Sequence, residues 1–232
     1  MKIALLPARK GSKRIRNKNI KDFCGKPIIA WSIQSALKAN IFDKIIVSTD
    51  SKDIANIAIK FGADSYFLRP KNLSDDNTGI LDVMNHAVKW MSDSEWQVSY
   101  VCCVYPASPL IDSYDIIKGY ELIKTQQWSY CLTASQFPSS IYRSFEENNS
   151  GGIKMLFPEN FKKRSQDLPS LYFDAAQFIW GTLDAWKGKD FLFGKKTSII
   201  KLPFWRVQDI DTIDDWQRAE SIFKKIRELN NG

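Results

Sequence analysis

The 232-residue sequence contains a single histidine, His86. Ser–His–Asp hydrolysis, Cys–His catalysis and multi-histidine metal centres all need an imidazole in place. His86 sits beside Val83, Ala87, Val88 and Trp90 in a segment of helical spacing, where packing or capping is the expected role. The four cysteines show no CxxC spacing. Cys102 and Cys103 are adjacent in an apolar run, so a strand would send them to opposite faces, as buried free thiols of a reducing cytosol. No apolar run approaches the roughly 20 residues of a bilayer span, and Ile3–Leu6 is too short for the core of a signal peptide. A cytoplasmic protein without a membrane partner is expected. The GxxxxGK[ST] and GxGxxG loops are both missing, and the second absence disfavours a dehydrogenase.

What is present is a good core and an uneven charge. Hydrophobic residues make up 44% of the chain and aromatic residues 13%, enough for one large α/β domain over 1–232. The formal charge of +7 is concentrated: seven basic residues and no acidic one lie between Arg9 and Lys21. That concentration predicts a local anion site rather than the stripe by which proteins follow nucleic acid. A non-catalytic nucleic-acid-binding protein is the alternative of another class, weakened because the aromatic residues lie in apolar surroundings.

Short apolar runs alternate with helical patterns. Lys2–Leu6, Lys44–Ser48, Ser65–Leu68, Val98–Val104 and Tyr130–Ala134 read as strands, several apolar on both faces as buried parallel strands require. Pro27–Ala39, Asp53–Phe61 and Asp112–Lys124 read as helices. The order predicts a doubly wound α/β fold with a mostly parallel sheet. From about 137 to 189 the alternation breaks: Gly151-Gly152 punctuates a polar stretch, and Tyr172, Phe173, Phe178 and Trp180 cluster. This stretch reads as an insertion, either a lid or a dimerisation arm. The chain then returns to a strand, Ser198–Leu202, and ends in a helix with Trp216, Ala219, Phe223 and Ile226 on one stripe.

In such folds ligands bind beyond the carboxyl ends of the strands. The first loop there is the basic one, PARKGSKRIRNKN. Gly11 permits a tight turn, Ser12 offers a hydroxyl, and Arg9 and Lys13 can neutralise phosphate. Farther on, Asp209 and Asp211 flank Ile210 in an extended segment, so both carboxylates project from one face. Such a pair suits Mg²⁺, which takes one or two carboxylates plus phosphate oxygens and water. The alternative is local, with Asp211 or Thr212 capping the last helix and Thr212 paired to Asp215.

PARKGSKRIRNKNI followed by Cys24-Gly25-Lys26-Pro27 resembles the opening of the cytidylyltransferases that activate acidic sugars. Val47-Ser48-Thr49-Asp50, Phe67-Leu68-Arg69-Pro70, Leu73-Ser74-Asp75-Asp76, Tyr105-Pro106-Ala107-Ser108-Pro109-Leu110, Arg164-Ser165-Gln166-Asp167 and Asp209-Ile210-Asp211-Thr212 continue the likeness in order. The resemblance implies a Rossmann-like nucleotidyltransferase fold, a homodimer, and Mg²⁺-dependent transfer of CMP from CTP to an acidic nine-carbon sugar in bacterial surface or flagellin glycan synthesis. It implies that Arg9, Ser12, Lys13 and Asn19 hold phosphates and ribose, with Ala8 and Arg69 near the cytosine. Tyr105, Arg164, Tyr172 and Gln177 would border the sugar, Asp209 and Asp211 would bind the metal, and Lys13, Arg9 and Asp211 would serve catalysis. Sialic-acid enzymes usually carry Gln where this chain has Tyr105 and often Arg where it has Ile111. The run through Asp174-Ala175-Ala176-Gln177-Phe178-Ile179-Trp180-Gly181 resembles the pseudaminic acid branch instead. N-Acetylneuraminic or legionaminic acid is the alternative substrate.

Overall fold

The structure, a computed structural model, describes residues 1–94 and 96–231, and the side chains of all these except 189, 230 and 231. The chain begins with β1 (Lys2–Pro7), passes through the basic loop into a two-stranded turn of β2 (Asp22–Phe23) and β3 (Lys26–Pro27), and enters α1 (Ile28–Ala39). There follow β4 (Lys44–Thr49), α2 (Lys52–Lys60), β5 (Ser65–Leu68), α3 (Ile80–Asp93), β6 (Tyr100–Val104), α4 (Ser113–Ile123) and β7 (Tyr130–Gln136). A small hairpin of β8 (Phe145–Glu147) and β9 (Ile153–Met155) precedes β10 (Tyr172–Thr182), β11 (Thr197–Leu202) and α5 (Ile213–Asn231).

Seven strands form one sheet in the order β11-β7-β10-β6-β1-β4-β5. All run parallel except β10, which is antiparallel to both β6 and β7. The expected doubly wound, mostly parallel architecture is what forms. Strand β1 is apolar on both faces because helices cover both: Ala4 and Leu6 join the core beneath α1 and α4, while Ile3 and Leu5 join the one beneath α3. Cys102 and Cys103 part in the same way. The cysteines are all free thiols; Cys102, Cys103 and Cys131 are buried and Cys24 is half-buried. A third cluster seats α5 against α1, with Phe23 edge-on to both Trp216 and Phe223.

One expectation needs correction. The insertion read over 137–189 ends earlier, because Tyr172–Thr182 is an inner strand of the main sheet. Phe178, Ile179 and Trp180 are each 0% exposed, and the first and last lie on the face opposite Ile179. An aromatic run that seemed suited to an interface is thus core on both faces, and each ring buried contributes about 2–3 kcal/mol. What leaves the sheet is 137–171, an arm whose neck is closed by the Phe137 amide donating to the Leu171 carbonyl. His86 lies on α3 and does not line the cleft described below; its ring is 5.7 Å from that of Phe67, and burial lowers its pKa.

Candidate active site

The carboxyl ends of β1, β5 and β6 and the kinked start of β10 surround a cleft of about 280 Å³. Its floor is the basic loop. Ala8, fully buried, continues the sheet by donating its amide to Ser48. The buried Asn19 side chain donates to the Arg9 carbonyl at 2.8 Å, and the Lys10 amide donates to Asp50 at 2.7 Å. The Ser12 amide donates to the Lys10 carbonyl at 2.8 Å, so the chain turns tightly about Gly11 with open space beside it. Asn19 therefore shapes the loop from within as well as bordering the cleft.

The cations of the loop are not idle. Arg9 meets Asp76 at 2.6 Å and Lys13 meets the other oxygen of the same carboxylate at 2.5 Å. These two cations hold Asp76 below the usual carboxylate range, Lys13 foremost. Asp76 stands on a preformed turn, since the neighbouring Asp75 accepts from the Thr78 hydroxyl at 2.6 Å and its amide at 2.8 Å. Arg69, buried at the end of β5, donates to the Ser74 hydroxyl at 3.2 Å. Burial lowers its proton affinity, opposed by Asp50.

The opposite wall comes from the loop after β6. The Ser32 hydroxyl of α1 donates to the Tyr105 carbonyl at 2.9 Å, and the Tyr105 amide donates to Gln177 at 3.0 Å. Burial, reinforced by Cys103, Asp174 and Asp209, pushes the Tyr105 phenol above its ordinary pKa. Gln177 is 3% exposed and donates to the Arg206 carbonyl at 3.0 Å. It braces the cleft from behind rather than lining it. Arg206 in turn is ion-paired to Asp115 and, at 3.5 Å, to Asp112. These contacts fix the segment that carries the acidic pair.

Asp209 opens on the cleft, and Ile210 is 1% exposed in the core beneath. Burial raises the pKa of Asp209, with Asp211 adding to the rise. Asp211 is ion-paired to Arg14 at 2.9 Å and Lys18 at 3.5 Å. The local alternative is realised as well, in the Thr212–Asp215 pair: the two cap α5 reciprocally, leaving the Asp211 carboxylate out of the cap. Among the described residues no three His, Cys, Asp or Glu side chains gather as a metal cage. Asp209 and Asp211 are two carboxylates two residues apart, the donor set that Mg²⁺ would take from a protein when phosphate oxygens and water complete its shell. A carboxyl kept costly to ionise by burial and a like charge, as Asp209 is, matches such an ion.

Two expected residues lie elsewhere. Arg164 belongs to the arm, its side chain 73% exposed and paired to Asp167 at 2.9 Å. Tyr172 packs at the edge of the core under Lys201, whose ammonium is 4.9 Å from the ring centre. Asp76, Asp174 and Lys18 carry no individual role in the sequence reading, although each sits in a quoted motif. A carboxylate signals nothing by itself until the fold brings it to a cation.

A model of cytidylyltransferases matches residues 3–153. The chain is 39% identical over 222 residues to the pseudaminic acid cytidylyltransferase of Campylobacter jejuni subsp. jejuni serotype O:2, covering 96% of each. It is 28% identical to the CMP-N,N'-diacetyllegionaminic acid synthase of Legionella pneumophila subsp. pneumophila, covering 98% of this chain and 97% of that protein. In fold it is similar to the solved structure of CMP:2-keto-3-deoxy-manno-octonic acid synthetase in complex with CTP, at a TM-score of 0.71 and 13% identity, covering 97% and 98% of the two chains.

Proposed function

The chain belongs to the cytidylyltransferase family, and on that premise we propose that it transfers CMP from CTP to pseudaminic acid, releasing pyrophosphate for bacterial surface or flagellin glycan synthesis. The observation that carries the reading is the 39% identity, over 96% of both chains, to a protein named for that substrate. The departure at Tyr105 from the sialic-acid pattern favours the same choice.

In this reading the triphosphate lies over the basic loop, and phosphate oxygens take the place at Arg9 and Lys13 that Asp76 now fills. Ser12 and Asn19 border phosphates and ribose, with Ala8 and Arg69 on the cytosine side. The anomeric hydroxyl of the sugar attacks the α-phosphorus in line; a sugar O–P bond forms as the bond to pyrophosphate breaks. Arg9 and Lys13 neutralise the leaving charge, which is where phosphoryl transfer gains most from its enzyme. The hydroxyl proton passes to a carboxylate of the acidic pair. Asp209 opens on the cleft, whereas Asp211 is engaged by Arg14 and Lys18. A magnesium ion held by Asp209 and Asp211 would supply Lewis acidity toward the phosphate and the attacking hydroxyl.

The homodimer is proposed to form through the arm, which exposes Phe145, Ile153, Leu156 and Phe161 by 50% or more. A second copy's arm is then the means by which Arg164 meets the sugar carboxylate, a partner that guanidinium binds bidentately. Among the described residues no helix is long and apolar enough to cross a membrane. Legionaminic or N-acetylneuraminic acid is the second reading, favoured by the identity to a legionaminic acid synthase. The test is pyrophosphate release from CTP with Mg²⁺ and pseudaminic acid: Lys13→Ala and Asp211→Ala should abolish it, and wild-type rates in both would sink the assignment.

A further inference from the structure

Strand β10 does not run straight from the cleft into the core. Its ladder with β7 pairs Asp174 with Ala134, breaks, and resumes with Ile179 opposite Leu132, so four residues of one strand, 175–178, lie opposite the single Thr133 of the other. In that slack lies Ala176, at φ 48°, a left-handed conformation that a side chain makes costly. Something must hold it there. The Asp174 carboxylate does so from two residues away, accepting the Ala176 amide at 2.8 Å.

The kink is where β10 reaches the cleft. The Ala176 carbonyl accepts the Ser108 hydroxyl at 2.8 Å, and the next residue, Gln177, accepts the Tyr105 amide at 3.0 Å. Ala176, Ser108 and Tyr105 all line the cleft, whereas Asp174 stands behind them, half-buried and bonded to its own backbone. The sheet order assigns this wall to one half of the site. The phosphate loop follows β1 and Arg69 follows β5, on one side; β6 and β10 lie on the other. With the nucleotide over β1, β4 and β5, the wall of Tyr105, Ser108 and Ala176 faces the acceptor.

We infer that Asp174 is a positioning residue for the acceptor sugar: by fixing the Ala176 amide in the left-handed kink, it sets the wall against which the sugar is held. The inference rests on the reading of the cleft as a site for CTP and an acid sugar. Asp174 touches neither substrate and acts through Ala176. A misplaced wall loosens the sugar while leaving the nucleotide's contacts at Arg9, Asn19 and Arg69 as they were.

The experiment compares wild type, Asp174→Ala, Asp174→Asn and the double variant Asp174→Ala with Ala176→Gly, measuring kcat and KM separately for pseudaminic acid and CTP. Asp174→Ala should raise the sugar KM by about tenfold, since small misplacements at a reacting site are expensive, with the CTP KM within about twofold of wild type. Asp174→Asn keeps an acceptor oxygen and should stay near wild type. Ala176→Gly should restore most of the loss in the double variant, because glycine takes the left-handed conformation without help. A merely structural role predicts a smaller active fraction, with neither the split between substrates nor the rescue. An unchanged sugar KM in Asp174→Ala, or no rescue by glycine, overturns the inference. If Asp174→Ala does not fold, Asp174→Glu, which moves the acceptor by one methylene, carries the same expectation. Hydrogen exchange keeps the inference apart from the function it rests on: the Ala176 amide should exchange faster without the Asp174 acceptor. A wild-type protein inert toward CTP with every acid sugar would sink the proposed function. Unchanged exchange at Ala176 would sink the role of Asp174.

Discussion

Arg9 and Asp76 meet at 2.6 Å although 67 residues separate them in sequence. Lys13 closes on the same carboxylate, so in the free chain Asp76 sits between two cations proposed to receive phosphate. An incoming triphosphate must displace it. Asp76→Asn is therefore expected to lower the CTP KM, by about two- to fivefold because exposed ion pairs are weak. The gain should fade as salt rises, since at about 1 M the screening length is only about 3 Å. Initial rates at two ionic strengths check this; a higher KM in the variant would mean that Asp76 assists binding instead.

Gly119 on α4 faces the buried indole of Trp180, and a Cβ there would lie 2.7 Å from Trp180 Cδ1 and 3.0 Å from Phe178 Cε2. Alanine gains about 1 kcal/mol in helix propensity, but overpacking costs about 1–3 kcal/mol. The indole has little room to yield, being bonded to the Ile116 carbonyl at 3.0 Å. Gly119→Ala should lower stability in urea melts despite its helix-favouring side chain.

Ala176 offers the opposite case. Its left-handed φ of 48° strains an L-residue by about 1–2 kcal/mol, so Ala176→Gly should be neutral or stabilising and Ala176→Val distinctly destabilising. Thermal denaturation of both distinguishes this from a plain loss of contacts, which would make glycine the worse.

The cap of α5 gives a pH dependence. Asp215 accepts the Thr212 amide at 2.9 Å and hydroxyl at 2.7 Å, while the Asp215 amide donates to the Thr212 hydroxyl at 3.2 Å. The Thr212 hydroxyl is the main cause of an Asp215 pKa below the usual carboxylate range. A depressed pKa stabilises the fold above the unfolded carboxylate's value, and the contribution is lost as pH falls through the folded one. Asp215→Asn should therefore be less stable than wild type at neutral pH, the gap closing on acidification. Thr212→Ala, which removes the hydroxyl that Asp215 accepts, should cost about 1 kcal/mol at neutral pH and less in acid, where the carboxyl is protonated.

The parallel core was legible because β1, β4 and β6 are apolar on both faces and alternate with amphipathic helices, a pattern that few folds share. The phosphate loop was legible because its charge is local in sequence as well as in space. The strand Tyr172–Thr182 was not, because an aromatic run fits a core strand and an interface equally well, and a bulge at Ala176 obscures its period. The roles of Asp76 and Asp174 were hidden for another reason. One depends on a contact across 67 residues, and the other on a left-handed backbone at an alanine, where sequence would lead one to look for glycine.

The central claim concerns which acid sugar accepts the cytidylyl group. Purified protein incubated with CTP and Mg²⁺ and, in parallel, pseudaminic, N-acetylneuraminic and legionaminic acids gives the direct comparison through pyrophosphate release. The account predicts turnover with pseudaminic acid well above the other two, lost in Asp209→Asn and Asp211→Asn. Equal turnover of all three sugars, or none with any, would contradict it.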